Sequence, residues 1–310
     1  MTAAGAGSAG LPALAHPRRT MKPLAYLRLL RPYQWVKNGF VVAPLFFSLR
    51  LDQPSAIAAS LTALLLFILL SSAIYVFNDI RDVAADRAHT IKRRRPLPSG
   101  DVPLAGAWTL LVLLVVGALL VGGLGGFSRG VLLAVGIYVV VNLSYSLGLK
   151  QVPLLELFMV ASGFIIRVVA GTLAVGVEPT QWVVIMTGLL ALLLIVGKRR
   201  SDLHGQSDVQ AHHTALRHYS VGSLDMMLSI LGSGTIIAYL LFCLSAHALE
   251  HFGTEYFYVS AAFVVFGVLR YIQLVHDGTG TDDPSSLAFR DRLLGLSIVG
   301  WLAILYVLIY

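Results

Sequence analysis

The stretch SAIAASLTALLLFILLSSAIYVFNDIRDVAAD, residues 55–86, joins a long apolar run to a cluster of aspartates. Its apolar part, residues 55–77, is long enough to cross a bilayer as a helix, since about 20 residues span the hydrocarbon core. The polar part begins immediately afterwards, with Asn78 and Asp79. A membrane-spanning helix that ends in several carboxylates predicts a membrane protein whose chemistry lies at one membrane surface.

Apolar runs of this kind recur along the whole chain. Of its 310 residues 57% are hydrophobic and only 13% are charged, whereas soluble domains carry about 25% charged residues. This composition predicts an all-α integral membrane protein with nine transmembrane helices. The nine candidate spans lie at residues 36–50, 55–77, 103–125, 129–147, 152–175, 181–197, 223–247, 256–274 and 293–310.

The positive charges support this arrangement, because lysine and arginine collect on the cytoplasmic side of a membrane. With the N-terminus inside, 20 of the 23 lysines and arginines fall in cytoplasmic segments, and only Arg50 and Arg129 fall outside. The net charge of +7 therefore indicates topology rather than a nucleic-acid partner. Function is expected in the two longest cytoplasmic segments, residues 78–102 and 198–222.

The two ends of the predicted domain organisation differ in composition. Residues 1–21 are rich in alanine, glycine and proline and are predicted to form a disordered tail. They lack the basic stretch and apolar core of a signal peptide. Residues 22–310 are predicted to form one catalytic domain in the cell membrane, with an amphipathic segment at 24–35 along its interface. The single cysteine, Cys243, is expected to be a packed apolar residue.

Three aspartates provide the first candidate site. Asp79, Asp82 and Asp86 are spaced i, i+3 and i+7, which places their carboxylates on one face of a helix. Carboxylates so close together repel one another unless a cation joins them, and Mg²⁺ is typically shared between carboxylates and substrate phosphates. The cluster therefore predicts bound Mg²⁺ and a diphosphate substrate. The alternative is a solvated helix end with three salt-bridged acids.

Basic and amide side chains near these aspartates are candidates for binding phosphate oxygens, which arginine and lysine commonly do. The basic run after the aspartates has an alternative interpretation as a topological anchor beside anionic lipids. Lys37 and Asn38, at the start of the first span, could equally belong to an aromatic interface belt. The candidates that follow the second span are Asn78, Arg87, His89, Lys92, Arg93 and Arg95.

A second polar cluster follows the sixth span. It contains Lys198, Arg199 and Arg200 with one acid nearby, Asp202. Its position at the same predicted membrane surface indicates that it faces the first cluster across a shared cavity and binds substrate. A purely topological role is the alternative.

Charged and polar residues inside two other spans complete the candidates. Glu156 and Arg167 lie 11 residues apart in the fifth span, about three turns and hence on one face. Charges inside a membrane are costly and usually face the interior of a bundle. Arg167 is predicted to meet an anionic substrate, with a structural ion pair or a bond between helices as the alternative. Tyr145 and Lys150, near the end of the fourth span, are weaker candidates of the same kind.

Together, the Asn-Asp-x-x-Asp-x-x-x-Asp pattern after the second span and the polar loop after the sixth resemble the UbiA superfamily of membrane-embedded polyprenyl transferases. The resemblance covers about residues 22–310. Within the superfamily, the chain is most similar to the branch that transfers phosphoribose to polyprenyl phosphates in actinobacterial cell-wall synthesis. The strings that carry this similarity are RPYQWVKN at 31–38, YVFND at 75–79, KRRRP at 92–96, SYSLGLK at 144–150 and GKR at 197–199.

The resemblance implies a nine-helix bundle whose central cavity opens to the cytoplasm. It implies an Mg²⁺-dependent enzyme that moves 5-phosphoribose from phosphoribosyl diphosphate to decaprenyl or another polyprenyl phosphate and releases diphosphate. Such a product serves arabinan synthesis for the cell wall. By the same resemblance Asp79, Asp82 and Asp86 hold the metal. A homo-oligomer in the bilayer is compatible with this assignment.

Departures from the family pattern bear on the donor. Members that use a prenyl diphosphate usually carry a second aspartate-rich motif where this chain has the basic run 198–200. A basic run suits a further phosphate, and phosphoribosyl diphosphate carries one on its ribose. Thr90 and Ile91 also stand where related chains often have proline. Two alternatives remain: an aromatic polyprenyltransferase that uses a prenyl diphosphate, and a transporter, which polar residues gathered at one face disfavour.

Overall fold

A computed structural model of the chain describes residues 23–204, 214–278, 287 and 290–310, and within these ranges the protein is helical and without strands. The predicted disordered tail, residues 1–21, lies outside the described residues. The α-helices, labelled α1 to α12 in chain order, are Pro23–Leu30, Gly39–Phe47, Pro54–Arg81, Val83–Ala88, Leu104–Leu124, Arg129–Leu147, Leu155–Ala174, Gln181–His204, Val221–Cys243, Ala246–Phe252, Ala261–His276 and Arg292–Ile309.

Eight of the described helices are long and apolar enough to cross a membrane. They are α3, α5 to α9, α11 together with the 3₁₀ turn Glu255–Ser260 that precedes it, and α12. Each coincides with one of the eight later predicted spans, from 55–77 to 293–310. The sequence therefore predicted eight of these membrane-spanning helices, with boundaries that differ by a few residues.

The first predicted span, residues 36–50, does not form one long α-helix. A 3₁₀-helix, Pro32–Asn38, runs directly into the nine-residue α2, Gly39–Phe47. A 3₁₀-helix rises about 2.0 Å per residue and an α-helix about 1.5 Å, so the two together extend about 28 Å. That length approaches the thickness of the hydrocarbon core, about 30 Å. The ninth crossing stays a prediction, and so does the cytoplasmic orientation derived from it.

The helices differ in how much of their surface is covered. In α3 and α7, 44% of the residues of the apolar window are buried, against 17% in α5 and α12. The outer helices expose large side chains such as Leu113 and Leu119, which are 63% and 69% exposed. An apolar surface of this extent is stable in lipid and not in water. The chain is therefore a multi-pass membrane protein with α3 and α7 at its centre.

A close backbone contact places α2 against α7. A Cβ atom at Gly171 would overlap the backbone carbonyl of Val41, so only glycine allows the two helices to approach this closely. The contact brings Asn38, which directly precedes α2, beside Arg167, one turn before Gly171 in α7. A small residue in one helix thus sets the position of a polar pair inside the bundle.

The polar ends of several helices meet at one end of the bundle. Arg81, the last residue of α3, donates hydrogen bonds to the backbone carbonyls of Ser146 and Leu147 at the end of α6. Arg200, near the end of α8, donates 2.9 Å from its Nη1 to the carbonyl of Val275 near the end of α11. The connections predicted to be cytoplasmic therefore share one face, on which the candidate site lies.

Candidate active site

The three aspartates contact three different basic side chains. Asp82 lies at the junction of α3 and α4, where the backbone hydrogen bonds from Asp82 to Asn78 at 2.9 Å and from Asp86 to Asp82 at 2.8 Å keep the helical pattern. Asp79 and Asp86 are 3% and 4% exposed and share one guanidinium: Nη1 of Arg95 lies 3.4 Å from Asp79 Oδ1 and 2.8 Å from Asp86 Oδ2. Asp82 instead lies 3.6 Å from Nζ of Lys150. The carboxylate of Asp82 thus meets a different base from those of Asp79 and Asp86, although the helical hydrogen bonds continue through it.

Arg31 also belongs to this cluster, although it was not among the residues predicted to form the site. Its Nη2 lies 2.5 Å from Asp79 Oδ1, and its guanidinium lies 5.2 Å from the centre of the Tyr75 ring. Arg31 has φ +54°, a backbone conformation that residues other than glycine rarely adopt. A basic residue directly before Pro32 was the one available signal, but 48 residues separate it from Asp79.

The donor atoms of this cluster fit a divalent cation. Carboxylate oxygens are the preferred ligands of Mg²⁺, which completes its shell with waters and substrate phosphates. Among the described residues, no three acidic or histidine side chains converge on one point. The carboxylates are instead oriented toward the positive side chains of Arg31, Arg95 and Lys150. A cation would use the same oxygens, and a substrate phosphate would complete its coordination.

The segment after α4 carries further basic candidates in different environments. His89 is 6% exposed, and its Nδ1 accepts the backbone N–H groups found two and three residues later at 3.2 and 3.4 Å. It therefore orders the turn that follows. Arg87 and Arg93 are exposed. Lys92 is half-buried, and this burial lowers the pKa of its ammonium group, an effect that the nearby Asp86 opposes.

The second cluster is joined by acids from elsewhere in the chain. Arg199 donates from Nε and Nη2 to both carboxylate oxygens of Glu156, at 2.8 and 2.6 Å, and from Nη1 to Asp202 at 3.2 Å. The side chains of Arg199 and Glu156 are 8% and 1% exposed. Tyr145 also hydrogen-bonds to Arg199. Lys198, more exposed, lies 3.9 Å from Asp202.

Arg200 completes the second cluster and is equally well paired. Its Nε lies 2.5 Å from Asp225 Oδ1, and the same oxygen lies 3.3 Å from Nε2 of His276. The sequence predicted a basic cluster here, and the structure corrects that prediction. The three bases of residues 198–200 are matched by three acids, namely Glu156, Asp202 and Asp225.

Arg167 lies within the bundle and has a hydrogen-bond network of its own. It donates to Asn38 Oδ1 and to the hydroxyl of Tyr138, both at 2.8 Å, and to a backbone carbonyl one turn earlier at 2.9 Å. Arg167 and Asn38 are 6% and 0% exposed. Of the two structural alternatives, an ion pair with Glu156 is wrong because Glu156 binds Arg199, whereas hydrogen bonds between helices are what Arg167 makes. In the described part of the chain, no carboxylate lies within 4 Å of the Arg167 guanidinium.

The two remaining candidates are half-buried on either side of the first cluster. Lys37 belongs to the 3₁₀-helix that precedes α2. Asn78 lies in the last turn of α3, and its backbone carbonyl accepts the N–H of Asp82 at 2.9 Å. Neither has the dense ion pairing of Arg199. The structure thus gathers Asp79, Asp82, Asp86, Arg95 and Lys150 and places Arg199 in a separate network.

Long apolar helices with a charged site at one end define a membrane-embedded helical protein. More narrowly, the chain belongs to the UbiA prenyltransferase family, whose family model matches residues 40–293. This assignment confirms the family resemblance found in the sequence.

Relatives with one shared name are similar to the chain over most of its length. The decaprenyl-phosphate phosphoribosyltransferase of Mycobacterium tuberculosis is 31% identical over 282 residues, which cover 89% of this chain and 91% of the relative. The enzyme of the same name from Corynebacterium glutamicum is 31% identical over 293 residues, covering 92% and 86%. The similarity therefore includes both halves of the bundle.

Solved structures share the architecture. A UbiA homolog from Archaeoglobus fulgidus bound to GPP and Mg²⁺ superposes with a TM-score of 0.69, covering 92% of this chain and 99% of that chain. The two sequences are 18% identical, so the likeness establishes the fold alone. The prediction of an all-helical UbiA-type fold is confirmed.

Proposed function

We propose that the chain transfers 5-phosphoribose from phosphoribosyl diphosphate to decaprenyl phosphate, or to a similar polyprenyl phosphate, and releases diphosphate. The observation that carries this proposal is the 31% identity, over 89% of the chain, to a decaprenyl-phosphate phosphoribosyltransferase. The product is a lipid-linked precursor for arabinan in the cell wall. The first cluster supports the proposal because acids and bases lie side by side there, as binding of a diphosphate requires.

The reaction is a substitution at the anomeric carbon of the donor. The bond between that carbon and the diphosphate oxygen breaks, and its electron pair leaves with the diphosphate. An oxygen of the acceptor phosphate then bonds to the carbon, which carries oxocarbenium character in the transition state, as in glycoside hydrolysis. Because the acceptor phosphate is already an anion, no side chain has to remove a proton from it.

The residues of the first cluster are assigned to the leaving diphosphate. Asp79, Asp82 and Asp86 would hold Mg²⁺, which would neutralise the charge that develops on the leaving group. Arg95 and Lys150, with side chains 34% and 32% exposed, turn toward the phosphate oxygens of the donor. Their partial exposure supports this role because a half-exposed cation can change partners.

Other candidates are assigned to the edges of the donor site or to its framework. Lys92, Arg87, Arg93, Lys37 and Asn78 contribute charge and hydrogen bonds around the phosphates. His89 orders the loop that presents them. Arg199, held by Glu156 and Asp202, fixes α8 against α7, and Tyr145 supports it. Lys198 remains a candidate for contact with the donor.

The proposed orientation follows from the distribution of lysine and arginine. The N-terminus and the site face the cytoplasm, the soluble donor enters from that side, and the lipid tail of the acceptor lies between helices. The membrane is the inner, or cell, membrane. This orientation requires a ninth membrane crossing, which residues 32–47 would form.

A direct assay tests the proposal. Purified protein with Mg²⁺, labelled phosphoribosyl diphosphate and decaprenyl phosphate is expected to form a labelled lipid, and Asp82→Ala is expected to abolish it. Asp277→Asn, a change in an exposed acid beyond α11, serves as the control and should retain the activity.

The aromatic polyprenyltransferase alternative has one observation in its favour. The second cluster is neutral rather than basic, so it no longer argues against a prenyl diphosphate donor. Geranyl diphosphate with an aromatic acid should therefore be tried in the same assay. Consumption of that pair, without a labelled phosphoribosyl lipid, would replace the proposed donor.

A further inference from the structure

Two arginines approach the same oxygen of the first aspartate. Arg31 lies 2.5 Å and Arg95 lies 3.4 Å from Asp79 Oδ1. Arg95 also contacts Asp86 at 2.8 Å, so it keeps a carboxylate partner if it loses Asp79. The carboxylate that pairs with Arg31 in the described residues is that of Asp79. A group that took the place of Arg31 on this oxygen would therefore release a positive charge next to the aspartates.

The base of the Arg31 side chain is fixed while its tip is accessible. The left-handed turn is closed by backbone hydrogen bonds from Arg31 to the carbonyl of Arg28 at 3.2 Å and from Gln34 to the carbonyl of Arg31 at 2.9 Å. Leu29, with 0% exposure, anchors the preceding helix α1. The Arg31 side chain is nevertheless 19% exposed. Its guanidinium can therefore move without a change in the backbone.

The cluster offers the released guanidinium a second partner. A divalent cation on Asp79 is expected to carry the phosphate oxygens of a diphosphate in the remainder of its shell. A guanidinium has a planar fork of donors that matches phosphate geometry. The Tyr75 ring, one turn before Asp79 in α3 and 5.2 Å from the Arg31 guanidinium, supports the side chain in either position.

We propose that Arg31 exchanges partners: it neutralises Asp79 until a divalent cation binds that carboxylate, and it then binds the diphosphate that the cation holds. This inference rests on the proposed function, since it requires that the aspartates bind a metal-bound diphosphate. A guanidinium and a divalent cation repel each other at one oxygen, so binding of the metal alone is opposed by Arg31. Binding of the metal together with diphosphate is favoured by it.

The exchange makes the affinities for metal and diphosphate depend on each other. Removing the guanidinium should strengthen binding of the metal alone, because a competitor for Asp79 is lost. It should weaken binding of the metal–diphosphate complex, because a phosphate ligand is lost. A residue that only stabilised the fold would change both affinities in the same direction. The opposite signs are therefore the distinguishing mark of the exchange.

Binding measurements on the full-length protein in detergent micelles test this. Mn²⁺ alone and the preformed equimolar Mn²⁺–diphosphate complex are titrated separately into wild type, Arg31→Gln and Arg28→Gln, with Mn²⁺ followed by electron paramagnetic resonance. Glutamine keeps an unbranched side chain in the left-handed turn. Arg28 is exposed and one turn upstream, so Arg28→Gln is a matched control. Arg31→Gln should bind Mn²⁺ alone about tenfold more tightly and the complex about tenfold more weakly, within usual coupling strengths.

Each result has a defined meaning. Equal weakening of both ligands, or no change in either, would overturn the exchange. Arg31→Lys keeps the charge without the planar fork, so it should resemble wild type with Mn²⁺ alone and lie between wild type and Arg31→Gln with the complex. If wild type binds neither Mn²⁺ nor the complex, the proposed function itself fails, and that outcome is separate from any effect of Arg31.

Discussion

The two charged clusters at the polar end of the bundle pair three acids with three bases each, but they differ in how far their arginines are buried. In the first, the carboxylates of Asp79 and Asp86 are 4% and 6% exposed, while the paired Arg31 and Arg95 are 19% and 34% exposed. In the second, both arginines are buried: Arg199 is 8% exposed beside Glu156 at 1%, and Arg200 is 6% exposed beside Asp225 at 33%.

The difference indicates which charges are free to act on a ligand. A buried ion pair cannot lose one partner without leaving an uncompensated charge, so its members are fixed. A half-exposed cation is solvated when it leaves its partner, so it can turn to a phosphate at low cost. The first cluster thus combines fixed acids with movable bases, which suits binding of metal and diphosphate. The second cluster suits the connection of helices.

The largest effect on the reaction rate is expected at Asp86 of the first cluster, with Asp225 of the second cluster as the comparison. Asp86→Asn removes a carboxylate from the proposed metal site and should lower the rate of labelled-lipid formation at least about 100-fold, the scale of losing one key electrostatic group. Asp225→Asn should lower thermal stability and leave the rate per folded molecule within about twofold, an effect below 0.5 kcal/mol. Equal losses of rate in both variants would remove the distinction between the clusters.

A large effect on stability is expected at Glu156. Glu156→Gln leaves the buried Arg199 with Asp202 as its remaining carboxylate, and breaking a buried pair costs about 3 kcal/mol. The unfolding midpoint in detergent should fall accordingly. Adding Arg199→Met should recover most of the stability lost in Glu156→Gln, because the unpaired charge is removed. If the double variant is stable but has a much higher KM for the donor, Arg199 binds substrate and the structural assignment is wrong.

A matched pair of lysines gives a smaller effect. Lys150 and Lys198 are 32% and 39% exposed and lie 3.6 and 3.9 Å from an aspartate, so their ion pairs are equally weak. Lys150→Gln should raise the KM of the phosphoribosyl donor about fivefold, since about 1 kcal/mol is lost with one charge-assisted contact. Lys198→Gln should change it less than about twofold, within the range of a surface ion pair. The reverse order would assign the donor to the second cluster.

The smallest effect is a pH dependence at Lys92. Burial holds the pKa of Lys92 below its usual range, so its positive charge is lost at a lower pH than that of an exposed lysine. The KM of the donor should therefore increase at alkaline pH earlier than exposed lysines would allow. Lys92→Arg should remove that increase, because arginine stays protonated. An unchanged pH profile in this variant would exclude Lys92 from donor binding.

Some parts of the fold were predictable because their signal is local. Apolar runs of membrane-spanning length identified eight helices, from Pro54–Arg81 to Arg292–Ile309. The 3₁₀-helix Pro32–Asn38 was missed, since its hydropathy resembles that of an α-helix and its geometry depends on packing against α3 and α7. The bases that the three aspartates meet were not predictable for a similar reason: i, i+3, i+7 spacing places carboxylates on a helix but does not fix which distant side chains approach them.

The sequence by itself determined the membrane class, the family and the aspartate motif, because each resides in contiguous residues whose composition or spacing is diagnostic. Only the tertiary structure decided which charges are neutralised. Glu156 reaches Arg199 across 43 positions and Arg31 reaches Asp79 across 48. Such pairs form where helix packing brings distant segments together, and the electrostatic energy depends on that distance and burial. A basic run therefore became a neutral connection between helices, and an arginine before Pro32 became part of the candidate site.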